Sequence, residues 1–311
     1  SRRTRDPRDV STAWNIDAYS FNLPVLAAPM DSVVSPETAI AIGKLGGLGV
    51  LDLEGLWTRY EDPTQQFNEI EDGEFFMRVA FAPGDAPVVD YQAALAGLAG
   101  ELGMRWTLRA AHERRRVLIL VSKFDHCLSD LLYRQRLGEL PMDVVAIAGN
   151  HPRTALSVTL PDGVPYHHLP VTPETKPQQE AALRALIAET GAELVVLARY
   201  MQILSSDFVA RWQGRIINIH HSFLPAFIGA SPYRQAFERG VKLIGATAHF
   251  VTNQLDEGPI IAQNVKEVDH RYMATDMARE GKEVEKSVLT QALKLVFNDR
   301  VFIYGNRTVV L

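Results

Sequence analysis

Four apolar runs set the terms on which this chain can fold. Val117–Val121, Met142–Ala148, Leu194–Ala198 and Ile216–His220 each read as a short strand with almost no polar interruption. Such a strand must be covered on both faces, which is the condition of parallel sheets. Between the runs lie helical patterns. One begins at Leu128, Leu131, Leu132 and Gln135. A second spans Pro177 to Thr190 and is closed by Gly191, and a short third spans Asp207 to Arg211. Strands alternating with helices predict an α/β fold, a mostly parallel sheet with helices on both faces. In such folds ligands bind outside the carboxyl ends of the strands. The residues following each apolar run are therefore the first place to look for chemistry.

The run at 216–220 ends in Asn218-Ile-His220-His221-Ser-Phe-Leu-Pro225. Side chains alternate along a strand, so Asn218 and His220 project from one face. A carboxamide beside an imidazole supplies an oxyanion donor and a general acid or base. Pro225 stops the strand and forces a loop. His221 points to the opposite face and reads as structural. Asp256 lies in a second loop, after the strand-like Ile244–Val251, where a carboxylate could orient His220 or hold a water.

Composition narrows the classes. With 311 residues, the chain predicts two or three compact units. A net charge of -5 offers no electrostatic case for nucleic acid. The one cysteine, Cys127, excludes an internal disulfide framework and a cysteine-rich metal site, and no other metal-ligand spacing is present. No apolar run reaches the roughly 20 residues that span a bilayer. The start of the sequence lacks a signal pattern, so a cytoplasmic location is expected.

Residues 1–64 read as a βαβ piece: a strand at Leu23–Met30, a helix opened by Ser35-Pro36 and a strand at Leu48–Leu51. Ala-Ala-Pro-Met-Asp-Ser-Val at 27–33 and Leu-Gly-Gly-Leu-Gly-Val-Leu at 45–51 resemble the start of the inosine monophosphate dehydrogenase-related family. In that family these segments open a (β/α)8 barrel. A quarter of a barrel cannot close, so no dehydrogenase activity is carried over. Residues 65–113 read as strand, helix and strand, at Gly73–Phe81, Tyr91–Leu102 and Met104–Ala110. They resemble the second half of an ACT regulatory module. Residues 114–311 form the expected catalytic domain.

That last domain carries a second resemblance. Val-Ser-Lys-Phe-Asp-His-Cys-Leu-Ser-Asp-Leu-Leu (121–132), Leu-Ala-Arg-Tyr-Met-Gln-Ile-Leu (197–204), Ile-Asn-Ile-His-His-Ser-Phe-Leu-Pro-Ala-Phe (217–227), Gly-Ala-Thr-Ala-His-Phe-Val (245–251), Leu-Asp-Glu-Gly-Pro-Ile-Ile (255–261) and Tyr-Gly-Asn-Arg-Thr-Val-Val-Leu (304–311) occur in order. They resemble the folate-dependent formyltransferases and, more closely over about residues 65–311, the formyltetrahydrofolate deformylases. The resemblance implies a catalytic trio of Asn218, His220 and Asp256. It implies a substrate loop of Arg199, Tyr200, Met201, Gln202, Ile203 and Leu204 that cradles the pterin largely through backbone groups; His249 reads either as a lining residue of the same pocket or as a packing histidine. The implied reaction is hydrolysis of 10-formyltetrahydrofolate, with water as acceptor and no cofactor or metal, which supplies formate for purine synthesis. A homo-oligomer is expected. The loop after the first apolar run reads Lys123-Phe124-Asp125-His126 and holds no glycine. Close approach of a backbone to phosphate favours glycine there, so bulky side chains are expected to fill the space of an amine acceptor. Transfer of the formyl group to an amine, and a catalytically impaired fusion protein that binds folate, stay open as alternatives.

Overall fold

Residues 115–121 become the central strand because nearly every side chain in them can be buried. The computed structural model describes residues 74–81, 88–226 and 232–311, together with the strands Trp14–Ile16, Tyr19–Phe21, Leu26–Ala27, Leu48–Gly49 and Gln65–Glu71. In β1 (Arg115–Val121), Val117 through Val121 are fully covered. Odd positions Val117, Ile119 and Val121 pack under α1 (His126–Arg136) and α5 (Ala274–Phe297), against Leu128, Leu131, Val288 and Leu289. Even positions Leu118 and Leu120 pack under α2 (Lys176–Thr190) and α3 (Ser206–Arg211), against Leu183, Ile187 and Phe208. The period of two thus sends one strand into two separate cores, as a doubly covered sheet requires. Each fully buried aliphatic side chain contributes about 1.5–3 kcal/mol.

The remaining strands are β2 (Met142–Gly149), β3 (Tyr166–His168), β4 (Leu194–Leu197), β5 (Ile216–His220), β6 (Leu243–Phe250) and β7 (Ile260–Glu267). They order as β7-β6-β5-β4-β1-β2-β3. The pairs β1–β2, β2–β3, β1–β4 and β4–β5 are parallel. The predicted mostly parallel α/β sheet is formed, and β5–β6 and β6–β7 add an antiparallel edge. Strand order reverses around β1, whose neighbours are β2 on one side and β4 on the other. The loops after β1 and β4 therefore diverge and leave a crevice, the place where such folds bind ligands. A short helix α4 (Pro232–Glu238) precedes β6, and the hairpin β8 (Val301–Tyr304) and β9 (Arg307–Val310) ends the chain.

Two compact units are present, Ser1–Gln66 with Val79–Leu95, and Phe67–Arg78 with Ala96–Leu311. In the first, Leu26 and Ala27 pair in parallel with Leu48 and Gly49. The expected helix from Ser35 lies outside the described residues. In the second, the strand expected over Met104–Ala110 is not formed. Met104 closes the helix Val88–Leu102 by donating its N–H to the Ala99 carbonyl. Arg109 then donates to the Phe297 carbonyl and the Asp299 carboxylate, both at 2.6 Å. These side-chain anchors hold the segment without a ladder.

Leu120→Ala should cost about 2–5 kcal/mol, because the central strand cannot collapse into the space left behind. Urea unfolding of the full chain measures it. A cost below about 1 kcal/mol would mean that β1 is not the shared wall of both cores.

Candidate active site

β5 brings its polar face to the crevice at Asn218 and His220. The antiparallel register sets Asn218 directly opposite His249 of β6 and His220 opposite Thr247. The Asn218 amide lies 3.2 Å from His249 Nε2. His249 Nδ1 meets the Phe250 carbonyl at 2.9 Å, and a carbonyl only accepts, so this nitrogen carries the proton. Nε2 then keeps its lone pair and accepts from the Asn218 NH2. His249 is neutral in this arrangement and aims the amide.

Asp256 reaches the same point from the loop after β6. Its Oδ2 lies 3.2 Å from His220 Nδ1 and its Oδ1 3.7 Å from His249 Nε2, with Asp256 only 9% exposed. Burial by itself would raise this carboxyl, but the bond to His220, with His249 close by, outweighs burial and holds it well below the usual carboxylate range. On the far side of the ring, His220 Nε2 is 3.1 Å from Ser222 Oγ, whose only proton goes to the Ala226 carbonyl at 2.5 Å. Ser222 must therefore accept from Nε2, while an ionised Asp256 must accept from Nδ1. His220 thus faces an acceptor at each nitrogen. The loop is shaped tightly to deliver Asp256. Asp256 takes φ 57, and a Cβ at Gly258 would stand 1.8 Å from the Phe250 carbonyl oxygen.

The residues expected in the substrate loop divide. Arg199 opens the loop with φ 66 and is buried. Tyr200 and Leu204 turn into the core, and Gln179 donates to the Tyr200 hydroxyl at 3.0 Å. Burial pushes that phenol up to about 12. Met201 and Ile203 stand 51% and 63% exposed, and Gln202 between them is half-buried. The Met201 N–H donates to Ser122 Oγ at 2.9 Å, and the Ser205 N–H to Glu180 at 2.7 Å. The loop is pinned at both ends and offers backbone and two apolar side chains between them.

In the loop after β1, Lys123 and Phe124 are exposed, whereas Asp125 and His126 already have partners. Asp125 accepts from the Ser157 and Val158 N–H groups at 2.5 and 2.8 Å. His126 Nε2 lies 2.7 Å from Glu285 of α5. Among the described residues, His126, Cys127 and Glu285 bring ligating atoms within 4.8 Å of one another. This set does not suit a cation. Burial and the nearby Glu285 push the Cys127 thiol well up, and Arg199 already stands 3.1 Å from the Glu285 carboxylate. Sequence reasoning missed Ser222 and Glu285. Glu285 left a signal, being a carboxylate inside the apolar stripe Met277, Gly281, Val284, Val288, Leu289 and Ala292 of a helix.

Comparison with known proteins agrees with this architecture. The sequence model of the family described as formyl transferase matches residues 115–293. A curated formyltetrahydrofolate deformylase of Corynebacterium sp. (strain P-1) is 51% identical over 249 residues, covering 79% of this chain and 87% of the relative. The crystal structure of a formyltetrahydrofolate deformylase from Pseudomonas putida KT2440 superposes with a TM-score of 0.74 at 46% identity, covering 79% of this chain and 89% of that one. Glycinamide ribonucleotide transformylase 1 from Symbiobacterium toebii gives a TM-score of 0.58 at 31% identity, covering 67% and 99%.

His221 supplies a test of the site's electrostatics. Its ring stands edge-on to His220 at 5.2 Å and to Tyr233 at 6.1 Å, and burial, with help from the Arg199 charge, lowers it to about 3. The unfolded chain then binds a proton near the ordinary value of about 6.5 that the folded chain refuses. Stability attributable to His221 is complete above about pH 6.5 and drains as pH falls toward about 3, at up to about 1.4 kcal/mol per unit. His221→Phe should remove that slope between pH 6.5 and 4.5, above the window in which Asp256 titrates. Parallel urea midpoints of the two proteins across this range read it, and an unchanged slope would mean that His221 is not held neutral.

Proposed function

This chain belongs to the formyltetrahydrofolate deformylase family, and we propose that it hydrolyses 10-formyltetrahydrofolate to formate and tetrahydrofolate through Asn218, His220 and Asp256. It is a hydrolase acting on a linear amide. The observation that carries the assignment of residues is the buried 3.2 Å contact between Asp256 and His220, with the Asn218 amide on the same face of β5.

The chemistry follows from that contact. Water adds through its oxygen to the formyl carbon, and charge develops on the formyl oxygen. The second N–H of Asn218 and the Nε2–H of His220 donate to that oxyanion, the formyl oxygen taking the place of Ser222 at Nε2. One such preorganised donor is worth about 3 kcal/mol in the barrier. Asp256, held ionised, accepts a proton of the attacking water. The pair returns a proton to N10 as the C–N bond breaks, and formate and tetrahydrofolate leave. His249 keeps Asn218 aimed and donates nothing to the reacting atoms. The exposed apolar side chains of Met201 and Ile203, with the backbone of the 199–204 loop, suit the flat pterin. The scheme uses no metal or cofactor. It takes place in the cytoplasm in a homo-oligomer, which fractionation and light scattering would check. No helix among the described residues is long and apolar enough to cross a membrane.

Transfer of the formyl group to an amine is a second reading, favoured by the likeness to the transformylase from Symbiobacterium toebii. Formate released from 10-formyltetrahydrofolate with water as the only acceptor separates the two. Purified protein should release formate and tetrahydrofolate in equal amounts without any added amine. A strict requirement for an amine would make the protein a transferase.

Asp256→Asn should lower turnover by at least about 100-fold while tetrahydrofolate still binds, because it removes the proton acceptor and leaves the loop in place. Asn218→Ala should lower it on the order of 100-fold through loss of one oxyanion donor. Single-turnover rates and product binding measured side by side check both. A fall of less than about 3-fold in either variant would take that residue out of the mechanism.

A further inference from the structure

The reaction makes no use of Glu285, yet this is the most completely buried charge in the described residues, with 0% of its surface exposed. An unpaired carboxylate in that position would be costly. Two hydrogen-bond partners and one guanidinium converge on it. The Tyr233 hydroxyl donates to Oε1 at 2.5 Å, His126 Nε2 reaches Oε2 at 2.7 Å, and Arg199 Nε stands 3.1 Å from Oε2. Burial would raise the Glu285 carboxyl, but His126 and Arg199 reverse this and hold it below its ordinary value.

The helix around Glu285 is built for this contact. Gly281 lies one turn earlier, and a Cβ there would stand 2.1 Å from the Tyr233 hydroxyl oxygen. Glycine in a helix interior gives up roughly 1 kcal/mol relative to alanine. Here it admits the phenol that bonds Glu285. The cluster also joins segments that diverge at the switch point of the sheet. His126 follows the loop after β1, Arg199 opens the loop after β4, Tyr233 belongs to α4, and Glu285 to α5. Arg199 holds a left-handed backbone, φ 66, that a side chain with a Cβ rarely adopts. Its guanidinium carbon also lies 5.9 Å from the centre of the Phe124 ring. Such a conformation persists only where its surroundings impose it.

We infer that Glu285 is a positioning residue: through Arg199 it holds the 199–204 loop in the shape that binds the folate, without touching the reacting atoms. This rests on the reading of that loop as the substrate loop. No hydrogen bond or ion pair joins Asn218, His220 or Asp256 to Glu285 or Arg199, so the two functions separate experimentally. Loss of the ion pair relaxes Arg199 and weakens substrate and product binding, while bound substrate still reacts on an intact trio.

The test is Glu285→Gln in the full chain, with tetrahydrofolate as the binding probe in calorimetry and 10-formyltetrahydrofolate in kinetics. Glutamine keeps an acceptor for Tyr233 and loses the charge that Arg199 and His126 require. The expected result is a rise of about 10-fold or more in the Kd for tetrahydrofolate and in KM, from the loss of one buried ion pair, with kcat within about 3-fold. A merely structural defect would reduce the active fraction, hence kcat, and leave KM alone. Arg199→Lys, which keeps the charge and loses the guanidinium that stands against Glu285 and Phe124, should raise Kd similarly and serves if Glu285→Gln does not fold. The double variant should be no worse than about 2-fold beyond the weaker single one, since both remove one interaction. Unchanged tetrahydrofolate binding in a folded Glu285→Gln or Arg199→Lys protein overturns the inference. Independent, multiplying effects in the double variant also overturn it. If the wild-type chain binds tetrahydrofolate but releases no formate, the proposed hydrolysis fails while this inference stands on the binding data. If the wild-type chain binds no tetrahydrofolate, both fall.

Discussion

A carboxylate under cover must be met by donors, and the crevice of this protein is organised around two that are. Asp256 is met by His220 at 3.2 Å and Glu285 by His126 at 2.7 Å. Removing His220 would leave the Asp256 charge unpaired, which costs several kcal/mol in a protein interior. The two carboxylates belong to separate clusters, joined by His221, whose ring stands edge-on to His220 in one and to Tyr233 in the other. The charge in each cluster is satisfied locally. One cluster can therefore do chemistry while the other does none.

The sheet makes this separation possible. Strand ends are rigid because their backbone groups are paired on both sides, so the backbone at Asn218 and His220 is fixed before any loop contact is made. The register between β5 and β6 then sets His249 against Asn218 at a spacing that only a cross-strand pair provides. Loops supply what strands cannot. Asp256 and Arg199 both occupy the left-handed region, at φ 57 and φ 66, and each lies just beyond a strand end. Conformations of this kind cost on the order of 1–3 kcal/mol and occur where surrounding contacts over-determine them. Asp256 is held by His220 and by the close approach of Gly258 to Phe250. Arg199 is held by Glu285 ahead of a loop tied down at Met201 and Ser205.

Local periodicity carries far in this chain. The apolar runs at 117–121, 142–148, 194–198 and 216–220 are strands because their side chains have water-excluding neighbours on both faces, and this demand is written in consecutive residues. The alternation that puts Asn218 and His220 on one face needs nothing beyond the strand itself. The stretch at 104–110 shows the limit. Its composition suits a strand, but a ladder needs a second strand, and Arg109 found the carbonyl of Phe297, 188 residues away, instead.

The sequence by itself therefore determined the fold class, the strand that bears Asn218 and His220 and the loop that bears Asp256, because each depends on spacings of two to four residues. Only the tertiary structure decided which partners those residues meet. His249 reaches Asn218 across 31 residues through an antiparallel register, and Glu285 reaches His126 across 159 through the packing of α5 on the sheet. Such contacts follow from how the chain closes on itself. A buried charge in an apolar helix stripe announces that a partner exists, but the identity of that partner is set by which strand ends lie beneath it.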